Sequence, residues 1–330
     1  MKPSSAKGFS SFAAWMLAAF LAAGGAQLQA EEVTTDHDVL TVLGNLEVAP
    51  GKSLDKDAVV LIVHGTLGHH RMAIISALQE LLRERGVNSL AITLSLGVER
   101  RVGMFDCAME QDHRHEDGAD EIRTWVKWLK ARGATNIVVA GHGRGANQAA
   151  LYASQSQMDG AVHKLVLVAP LVETADAVDR QYFLRYKKIL HDEYARAEAM
   201  AARGDAQSFM GDVGFLDCPH ARVTAGAFLN YYAANPKFFT PNLLPSVKIP
   251  TLVIGGTADM QEPELAGAMK KLSGQGNILF QEIEGADFYF SDAASEKLAD
   301  RIAEFLTREN TAVETAAAPP GAPRAPATQP

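Results

Sequence analysis

Apolar residues gather along this chain into short unbroken runs separated by stripes at helical spacing. Ala58 to His64 reads Ala-Val-Val-Leu-Ile-Val-His, without the polar alternation of a half-exposed strand, as a strand buried on both faces of a parallel sheet requires. Ile74, Ile75, Leu78, Leu81 and Leu82 then recur on one helical face, stopped by Gly86. A second strand follows at Ser89–Leu94, then a helix with Ile122, Trp125, Val126 and Leu129 in register, closed by Gly133. Further runs at Asn136–Ala140, Lys164–Val168, Thr251–Ile254 and Ile278–Ile283 read as strands, and Leu298, Ile302, Phe305 and Leu306 mark a last helix. Leu40–Val48, with Gly44-Asn45 between two apolar pieces, reads as an entry hairpin. Strand and helix alternate, which predicts an α/β fold with a mostly parallel central sheet and flanking helices.

One segment breaks the alternation. From Leu171 to Ile249 no buried strand is evident, only amphipathic helix such as Tyr182–Ala202 and aromatic-rich stretches. An insert at about 171–249, between two sheet strands, is expected to form a helical cap over the edge where ligands bind in open parallel sheets. A mere packing extension is the plainer alternative.

The two ends differ from this body. Lys2 and Lys7 precede an apolar run from Phe12 to Ala23, followed by small residues and Leu28-Gln29-Ala30. That is the layout of a secretory signal peptide over residues 1–30, cut after Ala30. The run falls short of the roughly 20 residues of a spanning helix, so an uncleaved membrane anchor is the disfavoured reading. No cysteine follows the run, so a lipid-anchored protein is not expected either. Thr311–Pro330 is mostly Ala, Pro and Thr, too poor in apolar side chains to fold, and is expected to be a disordered tail. With 330 residues and 47% hydrophobic content, residues 31–310 are expected to form one domain including the cap.

Export changes what charge and cysteine count imply. Losing Lys2 and Lys7 and no acid takes the formal net charge from −8 to −10, which argues against nucleic acid or an anionic membrane as partner. Cys107 and Cys218, the two cysteines of the chain, are expected to bridge in an oxidising compartment, with two unrelated buried thiols as the other reading. A signal peptide without a stable anchor makes the periplasm the default location, with full secretion the alternative.

The chemistry centres on Ile137–Ala150. A buried strand runs into Gly141-His142-Gly143-Arg144-Gly145 and then a helix, the layout of a G-x-S-x-G nucleophile elbow. The serine position holds Gly143. Gly141-x-Gly143-x-x-Ala146 also satisfies a dinucleotide fingerprint. That reading wants an acid at the end of the next strand, which instead ends Val168-Ala169-Pro170, and it belongs nearer the domain start. No nicotinamide or other cofactor is expected.

From about Leu40 to Leu306 the chain resembles an α/β-hydrolase. His64-Gly65 at the end of the first core strand is similar to that family's oxyanion-loop motif. Gly256-Thr257-Ala258-Asp259 stands where the family keeps its acid, and Gly285-Ala286-Asp287-Phe288-Tyr289-Phe290 resembles its Gly-Ala-x-His-x-Phe loop. The resemblance implies an acyl-transfer site in which a hydroxyl attacks, an imidazole takes its proton, a carboxylate orients the imidazole and N–H groups hold the oxyanion. Here Gly143 leaves the nucleophile position vacant, and Phe288 leaves the histidine position vacant. Asp259 is the retained acid. The N–H groups of Thr66 and Arg144 remain as oxyanion donors at the positive end of the helix that begins near Gly145. Glycine at 143 also relieves backbone strain in a turn with unusual dihedrals.

The paired loss leads to the expectation of an exported, catalytically inactive protein of hydrolase fold, acting in binding, scaffolding or regulation. Its partner would be a small anionic or carbonyl ligand, or another protein. The alternative is an ester or acyl hydrolase with a non-standard nucleophile or base. His69, His70, His113, His115 and His142 all fall in loops at the same sheet edge and are the candidates for that base, and Asp112 or Asp117 could join them at a metal. No ligand spacing is diagnostic, and no metal is expected. A bridge between Cys107, after a core strand, and Cys218, in the insert, would tie cap to sheet and restrict its opening.

Overall fold

The computed structural model describes residues 30–155 and 158–308. The expected signal peptide, apart from Ala30, and the expected tail lie outside the described residues. Strands run in chain order β1 (Glu31–His37), β2 (Leu40–Glu47), β3 (Val59–Val63), β4 (Asn88–Thr93), β5 (Glu110–Gln111), β6 (Ile137–His142), β7 (Val162–Val168), β8 (Phe209–Phe215), β9 (Cys218–Thr224), β10 (Thr251–Gly256) and β11 (Ile278–Ile283). The helices are α1 (Ala73–Glu84), α2 (Asp117–Ala131), α3 (Arg144–Ser154), α4 (Ala175–Tyr186), α5 (Leu190–Ala202), α6 (Ala225–Tyr232), α7 (Glu262–Lys271) and α8 (Ala293–Thr307).

Eight strands form the main sheet in the order β1-β2-β4-β3-β6-β7-β10-β11. Its first two pairings are antiparallel and the remainder parallel. The continuous apolar strands serve two cores at once. Val59, Leu61 and Val63 pack with Trp125 and Ala146 of α2 and α3, while Val60 and Ile62 pack with Leu78 of α1 and Ile302 of α8. The doubly covered parallel sheet is the α/β architecture that the alternation of elements predicts.

Two local expectations need correction. The entry hairpin does not turn at Gly44-Asn45: the turn is at Asp38-Val39, and Leu40–Glu47 is one strand. Gly44 is needed for close approach, since a Cβ there would lie 3.2 Å from the Trp125 ring and 3.1 Å from the Ala91 carbonyl oxygen. The insert is not wholly helical either. β8 and β9 form an antiparallel hairpin within it, and β9 pairs in parallel with β5 from the loop after β4. Gly211, Asp212 and Gly214 interrupt β8, and two register shifts break its alternation, which erases the period-two signal. The helix expected over Tyr182–Ala202 is likewise two helices, parted at Lys187 with φ +56°.

Cys107 and Cys218 are disulfide-bonded, joining the loop after β4 to the first residue of β9. The bond closes a loop with sequence separation 111. Chain-entropy reasoning assigns such a loop about 5 kcal/mol of restraint on the unfolded state, of which a native bridge typically delivers about 2–4 kcal/mol. The double variant C107A/C218A is therefore expected to unfold about 3–4 kcal/mol more readily in guanidinium. Equal midpoints and slopes for the two proteins would show that the bridge adds nothing.

Candidate functional site

The turn between β6 and α3 keeps the geometry of an elbow without its nucleophile. Gly143 has φ +56° and ψ −119°, a combination costly for any residue with a side chain, and its N–H donates to the Val168 carbonyl at 2.9 Å. The flanking glycines are sterically required. A Cβ on Gly141 would lie 2.3 Å from the Gly145 carbonyl oxygen, and one on Gly145 would lie 2.2 Å from that of His64. Gly143 differs in what it faces. A Cβ there would come within 2.7 Å of Phe288 Cζ. The two substituted positions are therefore in contact, and the phenyl ring fills the space that a nucleophile side chain would enter.

Phe288 is held by its neighbours. Its ring centroid lies 4.5 Å from that of His142, and its carbonyl accepts the His142 Nε2–H at 2.8 Å. His142 is buried and carries its proton on Nε2, which leaves Nδ1 as an unpartnered acceptor. Burial pushes this imidazole down to about 4, so it is neutral at pH 7.

A cleft of about 710 Å³ opens above the turn. Gly65, Thr66, His142, Arg144, Asp259 and Phe288 line it together, with Tyr182, Tyr186 and Leu184 of α4 on the opposite wall. The insert therefore covers the C-terminal edge of the sheet, where open α/β folds bind ligands. Among the described residues, neither the Thr66 nor the Arg144 N–H donates to the backbone or to a side chain. The Arg144 side chain is committed elsewhere. Its guanidinium meets the Glu173 carboxylate at 3.0 Å, its Nε reaches Thr66 Oγ1 at 3.3 Å, and the Tyr231 ring lies beneath it.

A family model for the alpha/beta hydrolase family matches residues 60–301. The chain belongs to the alpha/beta hydrolase family. Solved structures agree on the fold. Est1E from Butyrivibrio proteoclasticus aligns with TM-score 0.57 and 18% identity over 83% of this chain and 97% of that one. Esterase Pf2001 from Pyrococcus furiosus gives 0.54 and 16% over 84% and 90%, and the hydrolase GrgF from Penicillium sp. sh18 gives 0.59 and 15% over 84% and 98%. Comparison with curated proteins gives no match.

Within this hydrolase fold the oxyanion loop is braced from below. His64 does not face the cleft. Its Nδ1–H donates to the Gly65 carbonyl at 2.7 Å, so its Nε2 is an acceptor, taking the Leu94 N–H at 3.0 Å and Arg101 Nη2 at 3.2 Å. Burial and the Arg101 charge press His64 down to about 3. Arg101 also donates to the carbonyls of Leu94, Gly103 and Gly68. The nearby Glu121, raised by burial to about 7, accepts the Ser95 N–H and hydroxyl. Nothing in the local sequence around Arg101 marks it, because two of its partners, His64 and Gly68, come from the loop after β3, far back in the chain. Arg101→Met leaves three carbonyls and a buried carboxylate without it. It is expected to cost about 3 kcal/mol in urea unfolding; a change below about 1 kcal/mol would mean that the loop is held by other contacts.

The loop histidines do not share one environment. Only His142 of the five lines the cleft. His70 is buried against Thr93, His113 against Tyr231, and His115 donates from Nε2 to Asn147 Oδ1 at 2.6 Å. His69 accepts the Arg71 N–H. The expectation that all could face one edge as substitute bases is thereby corrected: three of them pack the junctions between loops, cap and sheet. Asp117, the first residue of α2, accepts the Arg114 N–H from the preceding turn, and Asp112 lies beside Gly97. Among the described residues no three His, Cys, Asp or Glu side chains gather as a metal site.

Proposed function

We propose that this chain is an exported, catalytically inactive member of its family that binds a small molecule in the cleft without cleaving it, in a binding or regulatory role. The observation that carries this reading is the contact between positions 143 and 288. The nucleophile's space is filled by a phenyl ring, and that ring stands where the general base belongs. Uncharged carbon can neither attack a carbonyl nor accept a proton. The free N–H groups of Thr66 and Arg144 support retention of ligand binding, since they can still take a carbonyl oxygen. The basic, apolar start of the chain supports export, with the periplasm as default.

The test is incubation with short acyl esters and with a serine-reactive fluorophosphonate. Hydrolysis at buffer background and no labelling are expected. Robust turnover or stoichiometric labelling would overturn the reading in favour of a hydrolase with an unconventional nucleophile. One observation favours that second reading: His142 lines the cleft, and its buried Nδ1 is an acceptor without a partner. Its burial and lowered basicity make it a poor base.

A further inference from the structure

The charges lining the cleft do not cancel. Arg144 is matched by Glu173 and Arg185 by Asp217. The remaining charged side chain of the lining is Asp259, which has no cationic partner among the described residues. Its Oδ1 accepts the Gln261 N–H at 3.0 Å, and Oδ2 has no donor. His142, neutral at pH 7, offers it no charge. In a working hydrolase such a carboxylate faces an imidazole that becomes cationic during turnover. Phe288 has removed that partner and left the acid.

Aromatic rings line the same cleft as the unmatched carboxylate. Phe288 and Tyr289 stand edge to face at 5.1 Å. Tyr182 packs against Tyr186 at 4.7 Å and Tyr232 at 5.3 Å. All five rings line the cavity. Ring faces carry negative potential and attract cations, most strongly alkylated ammonium groups that hold little water. An anion at this depth would meet Asp259 and Glu173, and the one guanidinium near the N-terminus of α3 is already neutralised.

Resting on the reading of the cleft as a binding site, the geometry points to an organic ammonium cation as its ligand. Asp259 would meet the charge, and the methyl or methylene groups would pack against Phe288, Tyr289 and the tyrosines of α4. Asp259 thereby changes from an orienter of an imidazole to the anchor of a ligand.

The test is calorimetric titration of the purified protein at pH 7.5 and low ionic strength with benzyltrimethylammonium, benzyl alcohol and phenylacetate. The cation is expected to bind about tenfold more tightly than the alcohol, with phenylacetate weakest. Asp259→Asn should lower cation affinity about tenfold and leave the alcohol unchanged. Tyr289→Leu, at an exposed position that the fold does not depend on, should lower it about threefold. No binding of the cation, equal affinity for all three probes, preference for phenylacetate, or an Asp259→Asn protein that binds the cation as before would each overturn the proposal. Ester turnover or fluorophosphonate labelling would instead overturn the non-hydrolytic reading on which it rests, so the two failures are distinguishable.

Discussion

Gly143→Ser alone is expected to remain unreactive toward fluorophosphonate, whereas Gly143→Ser combined with Phe288→His gains labelling and esterase turnover. The reason is the 2.7 Å approach of a residue-143 Cβ to Phe288 Cζ. No real Cβ tolerates that distance to carbon, so a serine forces the ring aside or distorts the elbow. Overpacking of this kind costs about 1–3 kcal/mol, and a side chain at φ +56° adds strain of the same order. Phe288→His alone frees the space but supplies no nucleophile. Together the two changes place a hydroxyl and an imidazole beside Asp259 and the free N–H groups of Thr66 and Arg144. An added general base contributes about 10²–10⁴-fold, so the double variant should exceed either single one by that range. Residues in contact are expected to be non-additive in this way. Gly143→Ser labelling as fast as the double variant would show that Phe288 does not obstruct. A folded but inert double variant would show that more than these two positions has been lost.

The strands and the elbow were legible because their signals are local. A strand buried on both faces must be apolar throughout, and Val59–Val63 and Ile137–Ala140 state this plainly. The glycines at 141, 143 and 145 mark a tight strand-to-helix turn by their spacing alone. What sequence could not convey was which atoms would meet. Gly143 and Phe288 are far apart in the chain, and their contact turns two substitutions into one rearrangement. Gly44 looked like a turn because close approach and positive φ both select glycine, and only the position of Trp125 separates the two. The β8–β9 hairpin carries no period-two signal because its pairing is bulged and its partner β5 has only two residues. Arg101 is invisible locally for the same reason as the contact at 143, since its acceptors at His64 and Gly68 meet it only in the folded chain.

Lowering the pH from 7.5 to 5.5 is expected to destabilise the protein by about 5 kcal/mol, comparable to the whole stability of many domains. His64, His70, His113, His115 and His142 are all at most 3% exposed. Burial first, and neighbouring positive charge for all but His142, lower them to between about 3 and about 4. Each remains neutral in the folded protein over this range, while in the unfolded chain it takes up a proton near its ordinary 6.5. The unfolded state thus binds more protons, and stability is complete above pH 6.5 and lost as pH falls toward 4. One unit below 6.5 each histidine withdraws about 1.4 kcal/mol, about 7 kcal/mol for the five. Glu121 acts in the opposite sense. Raised to about 7 by burial, it destabilises the fold above that pH and is relieved as it protonates, returning about 2 kcal/mol. Guanidinium unfolding followed by far-ultraviolet circular dichroism at the two pH values measures the difference. His113→Asn, which removes one buried imidazole, should shrink the pH-dependent loss by about 1.4 kcal/mol whatever it does to stability at pH 7.5. Identical stability at both values, or the same loss in the variant, would mean that these histidines are already protonated in the folded protein or reach solvent.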